Sequence, residues 1–319
     1  MALITAYNNV TLAEAQRSVG WDPGSLGELQ RRYAFTDNVP WYPTNRGLTN
    51  RQVQADRLPS ITAGKLNGSI GTGAGGRSVI EEPVKLYQLE SHVDERLLKG
   101  MTAEQAQATR DSEDEMIMEG CLGGVEGKVI YGNDGSSPDD LRGLALRRPS
   151  IGTYCLNMGG TASGSMCSAW LIELGRKGFH FGYPPGTVPG LTSEDKGLQR
   201  VASVDGAGDY YAWCRLYEFW GAVILRDNRA LIRIANIGSA TPLTADKVIE
   251  GRNILPGMGR DAALFVNRST KTAIDKAAYN KTNLSITTAE LPGYGAVSYI
   301  GGVPVLLSEA ILDTDTTVS

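Results

Sequence analysis

Apolar and polar positions divide the chain into stretches of different period. The densest apolar stretch is residues 209–237, DYYAWCRLYEFWGAVILRDNRALIRIANI, rich in aromatic and β-branched side chains. From Tyr210 to Leu225 only Gly221 interrupts it, whereas an ordinary strand has about 5–6 residues. At about 3.3 Å per residue an unbroken arm of this kind spans on the order of 50 Å. Asp227-Asn228 signals a turn, and Ala230 to Ile237 reads as a returning strand. Gly221 marks either a bend between two strands or a bulge within one.

The rest of the chain falls into place around that stretch. Residues 1–37 carry two short helix signals, capping boxes at Thr11 with Glu14 and at Ser25 with Glu28, separated by Trp21-Asp22-Pro23-Gly24. Their apolar residues are too few for a core, so they are expected to lie on something else, as an arm does. Residues 38–91 are punctuated by Pro40, Pro43, Pro59 and Pro83, with a flexible glycine cluster at Ser69 to Gly76. Arg77 to Leu89 reads as extended. The simplest account is a two-armed excursion with a glycine-rich tip, since so long a structureless loop is unusual inside a compact domain.

Residues 92–122 give the clearest helix, opened by a capping box at Thr102 and Gln105 and ended or kinked at Gly123-Gly124. It is polar, with a thin stripe of Met116, Ile117, Cys121 and Leu122, as expected of a spine lying on a sheet with one face wet. Residues 123–165 are loop-rich. Ser168 to Leu174 reads as a strand, Tyr183-Pro184-Pro185-Gly186 as a turn, and Gly206-Ala207-Gly208 as a hairpin leading into the aromatic stretch. Thereafter come a helix at Thr244 to Glu250, a strand at Asp261 to Val266 and a helix at Ser269 to Tyr279. Strands at Leu284 to Thr288 and Ala296 to Ile300 follow, then a Gly301-Gly302 turn into Val303 to Leu307. Asp313 to Ser319 reads as a polar tail. Helices and strands do not alternate as βαβ units, so the fold class is α+β.

Composition narrows the function. With 319 residues the chain is long enough for one large or two ordinary cores, and 39 glycines favour turns and extended loops over a helical bundle. A net charge of -4 argues against sequence-independent nucleic-acid binding, which needs a basic field. The cysteines, Cys121, Cys155, Cys167 and Cys214, match no zinc or redox spacing. No signal peptide or membrane-spanning run is evident; charges at Asp209, Arg215, Glu218 and Arg226 interrupt even the aromatic stretch.

Candidate chemistry is thin. Gly71, Gly73 and Gly76 satisfy G-x-G-x-x-G, but without the preceding apolar strand and following helix that a dinucleotide needs; a loop tip is the stronger reading. His92 stands near Asp94 and Glu95 at what reads as a solvated helix start, and His180 stands alone. Ser163-Gly164-Ser165 is no nucleophile elbow, and Gly127-Lys128 no Walker loop. The acidic run 111–119 reads as a solvated helix face, and Arg226, Asp227, Arg229 and Arg233 as a salt-bridge network on a turn and strand. The aromatics Tyr210, Tyr211, Trp213, Tyr217, Phe219 and Trp220 suit core or interface packing better than base stacking. The expectation is a binding or structural protein with no catalytic, cofactor-binding or metal-binding residues.

Short motifs in a fixed order carry a resemblance over most of the chain from about Val39. They are Tyr131-Gly132-Asn133 with Gly143-Leu144, Ser168-Ala169-Trp170-Leu171, Gly182-Tyr183-Pro184 with Gly190-Leu191 and Glu194-Asp195, and Arg226-Asp227-Asn228-Arg229 leading to Arg233-Ile234-Ala235-Asn236-Ile237. Gly259-Arg260 with Asn267-Arg268, and Gly302-Val303-Pro304 with Ala310-Ile311-Leu312, complete the set. In these the sequence resembles the major capsid proteins of tailed double-stranded DNA bacteriophages, in particular the group including the coat protein of the short-tailed Bordetella phages. It departs from that group at Val305-Leu306-Leu307, where basic residues are usual, and at Pro184-Pro185-Gly186, where Pro-Lys-Gly is usual.

The resemblance implies the HK97-like capsid fold. It places an N-terminal arm at 1–37, an extended loop at 38–91, a peripheral domain with its spine helix at 92–147, an axial domain at 148–240, and a return to the peripheral domain at 241–319. It implies self-assembly as hexamers and pentamers into an icosahedral virion shell that encloses double-stranded DNA without sequence-specific contacts. The implied partners are a portal protein and scaffolding and decoration (cement) proteins, with assembly in the host bacterial cytoplasm and no membrane. No scaffolding segment is evident ahead of the arm, so a separate scaffold, or none, is expected. Two other classes compete: another virion component such as a tail-tube or decoration protein, and a nucleotide-binding enzyme using the glycine run.

Overall fold

The computed structural model of the chain describes residues 33–57, 59–61, 63–64, 66–68, 72–203, 208–279, 286–291 and 295–319. The two capping boxes expected within 1–32 lie outside the described residues. In chain order the elements are helix α1 (Ala34–Asn38), strands β1 (Trp41–Pro43), β2 (Thr49–Arg57), β3 (Gly76–Pro83) and β4 (Lys85–Asp94), and helices α2 (Glu95–Leu98), α3 (Ala103–Tyr131) and α4 (Leu144–Arg147). Then come β5 (Cys155–Asn157), β6 (Cys167–Glu173), β7 (Phe179–Tyr183), β8 (Leu191–Ala202), β9 (Asp209–Leu225) and β10 (Leu231–Ile237). The chain closes with α5 (Ala245–Ile254), β11 (Ala262–Val266), α6 (Arg268–Tyr279), β12 (Ile286–Leu291), β13 (Gly295–Ile300) and β14 (Val303–Leu307). Among the described residues two compact units can be traced, and the chain passes between them several times.

The first unit comprises Leu86–Val125 and Gly190–Phe219. Its helical part begins at the expected capping box: the Gln105 N–H donates to Thr102 Oγ1 at 3.3 Å and the Thr102 N–H to Gln105 Oε1 at 3.1 Å. Strands β8 and β9 form an antiparallel hairpin from Leu191↔Phe219 to Ala202↔Asp209, with an irregularity between Asp195 and Gly197. The glycines expected to turn it, Gly206 and Ala207 with them, fall at 204–208, of which only Gly208 is described. Ion pairs hold the helix to the hairpin. Arg110 donates to Asp195 at 2.7 Å and lies over the Trp213 ring at 4.5 Å, and Arg215 pairs with Asp114. The run 111–119 is therefore not wholly a solvated face: Asp114 is buried.

The second unit comprises Arg32–Lys85, Glu126–Pro189 and Trp220–Ser319. Its larger sheet has seven strands in the order β12-β13-β14-β11-β6-β10-β5. Every residue of β10 and β11 is buried. Strands buried on both faces read as continuous apolar runs, and LIRIANI and AALFV are such runs. Trp170, Leu171 and Phe265 are fully buried, and Phe35 of α1 stacks on Phe265 with ring centroids 4.1 Å apart. Helix α5 lies close enough that a Cβ on Gly251 would stand 3.0 Å from Leu171. In the same unit β1 pairs in parallel with β7, and β7 antiparallel with the last residues of β9, Ala222 to Leu225. Strands β2 and β3 form a separate two-stranded hairpin.

Four expectations change. Strand β10 does not return along β9; it lies between β6 and β5. The short 3-10 turn Asn228–Ala230, capped by the Asp227 side chain, separates the two strands into different sheets. Strand β9 is unbroken across Gly221, which falls between the segment paired to β8, ending at Phe219, and the segment paired to β7, starting at Ala222. The spine helix does not end at Gly123-Gly124 but continues to Tyr131, because Val125, Val129 and Ile130 beyond the glycines are buried and their packing outweighs the glycine penalty of about 1 kcal/mol each. The anticipated apolar stripe is not the buried one, since Met116 is 56 % exposed.

Nor is the C-terminal segment a free tail. The Asp315 N–H donates to the Met166 carbonyl at 2.7 Å, the Val318 N–H to Asn236 Oδ1 at 2.8 Å, and the Ile151 N–H to the Ser319 carbonyl at 3.2 Å. Polar composition hid this because the segment docks by hydrogen bonds rather than by apolar burial.

Candidate functional site

The residues singled out for chemistry are dispersed. Gly76 opens strand β3 instead of a helix, and a Cβ on Gly73 would meet Pro59 at 3.2 Å; Gly71 lies outside the described residues. The glycine run therefore lacks the helix N-terminus that would hold a pyrophosphate. Gly127 and Lys128 sit inside α3, where backbone amides are already engaged, and Lys128 pairs with Asp140 at 2.8 Å. Ser163 to Ser165 lie on a turn ahead of strand β6, not on a strand-to-helix turn.

The Arg226–Arg233 segment resolves into two separate arrangements. Asp227 accepts from the Arg229 N–H at 2.9 Å and from its guanidinium, and these interactions lower the carboxyl pKa against the opposing effect of burial. Arg233 is buried elsewhere: it donates to Ser168 Oγ at 2.9 and 3.0 Å, pairs with Asp315 at 3.4 Å and lies over the Trp170 ring. Ser168 in turn donates to Asp315 at 2.9 Å. The serine hydroxyl is thus held between a guanidinium and a carboxylate, both nearly buried, as a structural clasp. Of the aromatics, Tyr217 and Phe219 are fully buried while Tyr211 is 56 % exposed.

Besides Asp114, two buried carboxylates were not foreseen. Glu126 on α3 is fully buried and accepts from the Thr36 N–H at 2.9 Å and from the Ser308 hydroxyl at 2.6 Å. Burial pushes its pKa up to about 7, against the lowering effect of those donors. Glu82 on β3 receives the Arg147 guanidinium at 2.8 and 3.0 Å. The sequence signal for Glu126 is its place beside Val125 on the turn that carries Val129 and Ile130, a carboxylate on an apolar face.

A cavity of about 600 Å³ in the second unit is lined by Cys167, Ser269, Thr270, Lys276 and Asp313, among others. Its thiol is 3.2 Å from Thr270 Oγ1, and burial raises the Cys167 pKa, the opposite of what a nucleophile requires. His180 is pulled down to about 4 by burial, so it is a neutral core side chain near neutral pH. His92 is not at a helix start: it lies on β4, 3.3 Å from Glu90.

Of the two departures from the group, the first has a local cause. Val305 and Leu306 are buried in β14, where basic side chains would lack solvent. Pro185 is exposed in the turn closed by Thr187, whose hydroxyl donates to the Pro184 carbonyl at 2.8 Å.

No curated protein matches the sequence. Among solved structures, the chain is similar to that of bacteriophage epsilon15, with 21% identity, a TM-score of 0.69, and coverage of 100% of this chain and 99% of that one. It also aligns with the capsid of the Myoviridae phage XM1, at 11% identity and a TM-score of 0.44 over 69% of this chain and 98% of that one. The SrpI encapsulin complex of Synechococcus elongatus PCC 7942 aligns at 12% identity and a TM-score of 0.46, over 72% and 97% of the two chains. The architecture is thus the HK97-like fold that the ordered motifs implied. The family model for major capsid protein GP7 matches residues 28–319, and the chain belongs to that family: it is a major capsid protein of a bacteriophage, a subunit of the virion shell.

Proposed function

We propose that the chain assembles as hexamers and pentamers into an icosahedral shell around double-stranded DNA, and that the β2–β3 hairpin reaches onto a neighbouring copy. The observation that carries this reading is the hairpin's own surface. Among the described residues β2 and β3 pair only with each other, and Val53, 59 % exposed, stands opposite Val79, 54 % exposed. Ile61 and Leu66, between the strands, are almost wholly exposed. A two-stranded hairpin is marginal by itself in water, and exposed apolar side chains on one call for a partner. A second copy of the chain is the partner a shell supplies.

The segment reading belongs to this proposal: arm 1–37, extended loop 38–91, peripheral domain 92–147 and 241–319, axial domain 148–240. The compact unit joining Leu86–Val125 with Gly190–Phe219 supports one amendment, placing Gly190–Phe219 with the spine helix instead of in the axial domain. The portal protein occupies one vertex, and any separate scaffolding or decoration protein binds the shell during or after assembly in the host cytoplasm. The shell subunit catalyses no reaction, and its net charge of -4 suits a container that does not bind its duplex by sequence.

Electron microscopy of the purified product tests the reading. Closed shells are expected; tubes would favour a tail component, and single subunits that ATP or a dinucleotide stabilises would favour an enzyme. The double variant V53K/V79E, which puts opposite charges on the facing pair, is expected to leave the subunit's stability within about 0.5 kcal/mol, as exposed substitutions do, and to abolish closed shells. Wild-type shells from that variant would remove the hairpin from the assembly contacts.

A further inference from the structure

Strands β4 and β9 are neighbours in their sheet and bring three side chains of metal-binding type to one spot. Glu90 and His92 are two apart on β4, hence on one face of the strand. Cys214 comes from β9. A carboxylate oxygen of Glu90, a ring nitrogen of His92 and Cys214 Sγ all lie within 4.8 Å of one another. His92 Nε2 is 3.3 Å from Glu90 Oε2. Nitrogen and oxygen ligands on one tetrahedral zinc, each about 2.0–2.1 Å from it, stand about 3.3–3.4 Å apart. That pair is already at ligand separation.

We infer that Glu90, His92 and Cys214 form a binding site for a divalent transition-metal ion of the zinc class, with water completing a tetrahedron. The donor set selects the class. An imidazole and a thiolate favour borderline and soft ions, whereas calcium and magnesium need oxygen donors throughout. The charge closes as well: thiolate and carboxylate together neutralise the ion, with the imidazole neutral. Binding transfers the Cys214 thiol proton to solvent and puts a sulfur–metal bond in its place.

The surroundings are suited to a cation. Cys214 is 1 % exposed, so β9 fixes the sulfur, while the Glu90 and His92 side chains keep 42 % and 32 % exposure and are free to rotate onto an ion. The Glu90 carboxylate beside the sulfur puts negative charge where a positive ion would sit.

The test uses the full-length chain, stripped with chelator and titrated with cobalt(II) as a spectroscopic stand-in for zinc. One equivalent is expected to bind with a thiolate-to-cobalt charge-transfer band and the intense visible bands of four-coordination. C214S is expected to abolish the charge-transfer band. H92A, at a partly exposed position that tolerates truncation, is expected to weaken binding at least about tenfold. Zinc is expected to raise the melting temperature of the wild type and not that of H92A. Absence of the band in the wild type, its survival in C214S, or unchanged affinity in H92A would each overturn the site and leave an ordinary ion pair beside a buried thiol.

Discussion

Gly132 and Gly143 meet backbone to backbone: the Gly143 N–H donates to the Gly132 carbonyl at 2.9 Å. A Cβ on Gly132 would fall 2.4 Å from the carbonyl oxygens of both Lys128 and Leu141, and one on Gly143 would fall 2.6 Å from the Gly132 nitrogen. Main-chain atoms cannot rotate away as a side chain can. The contact closes the end of the spine helix α3 onto the start of α4. We predict that G132A and G143A each destabilise the subunit by about 2–3 kcal/mol, the upper range for overpacking. Urea unfolding of each variant checks this, and a midpoint at the wild-type value would mean that the loop 132–143 absorbs the methyl group.

The base of the β2–β3 hairpin is held by a charged pair. Glu82 and Arg147 are both nearly buried, with side chains 7 % and 9 % exposed, and Arg147 Nη1 and Nη2 donate to Glu82 Oε1 and Oε2 respectively. Arg147 also donates to the Val223 carbonyl at 3.1 Å. Removing one partner leaves the other buried without a counter-charge. E82L and R147M are each expected to cost about 3–5 kcal/mol, and the double variant E82L/R147M to recover most of that loss. Thermal or urea unfolding of the three variants gives the coupling; additive losses would show that the pair contributes little as a pair.

What the sequence made legible follows from what each element uses for stability. Strands β10 and β11 were readable because burial on both faces forces continuous apolar runs, β9 because aromatic and β-branched residues are concentrated along it, and the start of α3 because Thr102 and Gln105 cap each other. The end of α3 was not, because Gly123-Gly124 is a local signal that distant packing of Val129 and Ile130 overrides. The separation of β9 from β10 was also hidden: a turn signal at Asp227-Asn228 does not say whether the next strand pairs with the last. The ion pairs of Glu82, Asp114 and Asp315 depend on partners 65, 101 and 82 residues away (147 − 82, 215 − 114, 315 − 233), beyond any spacing rule.

Helix α3 carries glycines for which the described residues show no intramolecular reason. A Cβ on Gly120 or Gly124 would have no heavy atom within 4 Å among the described residues, and both positions are exposed. Glycine in a helix interior costs about 0.5–1 kcal/mol relative to alanine. G120A and G124A are therefore expected to stabilise the subunit by about that amount each, measurable as a rise in the urea midpoint. Shell yield from the same variants is a second readout. A chain that is stabilised but fails to form shells would place a neighbouring copy against this face; destabilisation would show that the helix needs the glycines to bend.

Glu126 gives the subunit a pH dependence opposite to that of most carboxylates. Its pKa rises from the ordinary 4.5 to about 7 because burial disfavours the anion more than Ser308 and Thr36 favour it. The folded state therefore holds the proton more tightly than the unfolded chain does. Its contribution to stability is fully present below pH 4.5 and is lost as pH rises through about 7. The loss corresponds to roughly 3 kcal/mol over that interval. E126Q, which keeps an acceptor for the Thr36 N–H and cannot ionise, is expected to remove this fall and to exceed the wild type in stability at pH 8. Unfolding free energies of both proteins from pH 5 to pH 8 decide the matter: the wild type minus E126Q difference should decline across that range, and a constant difference would show that Glu126 titrates as an ordinary carboxylate.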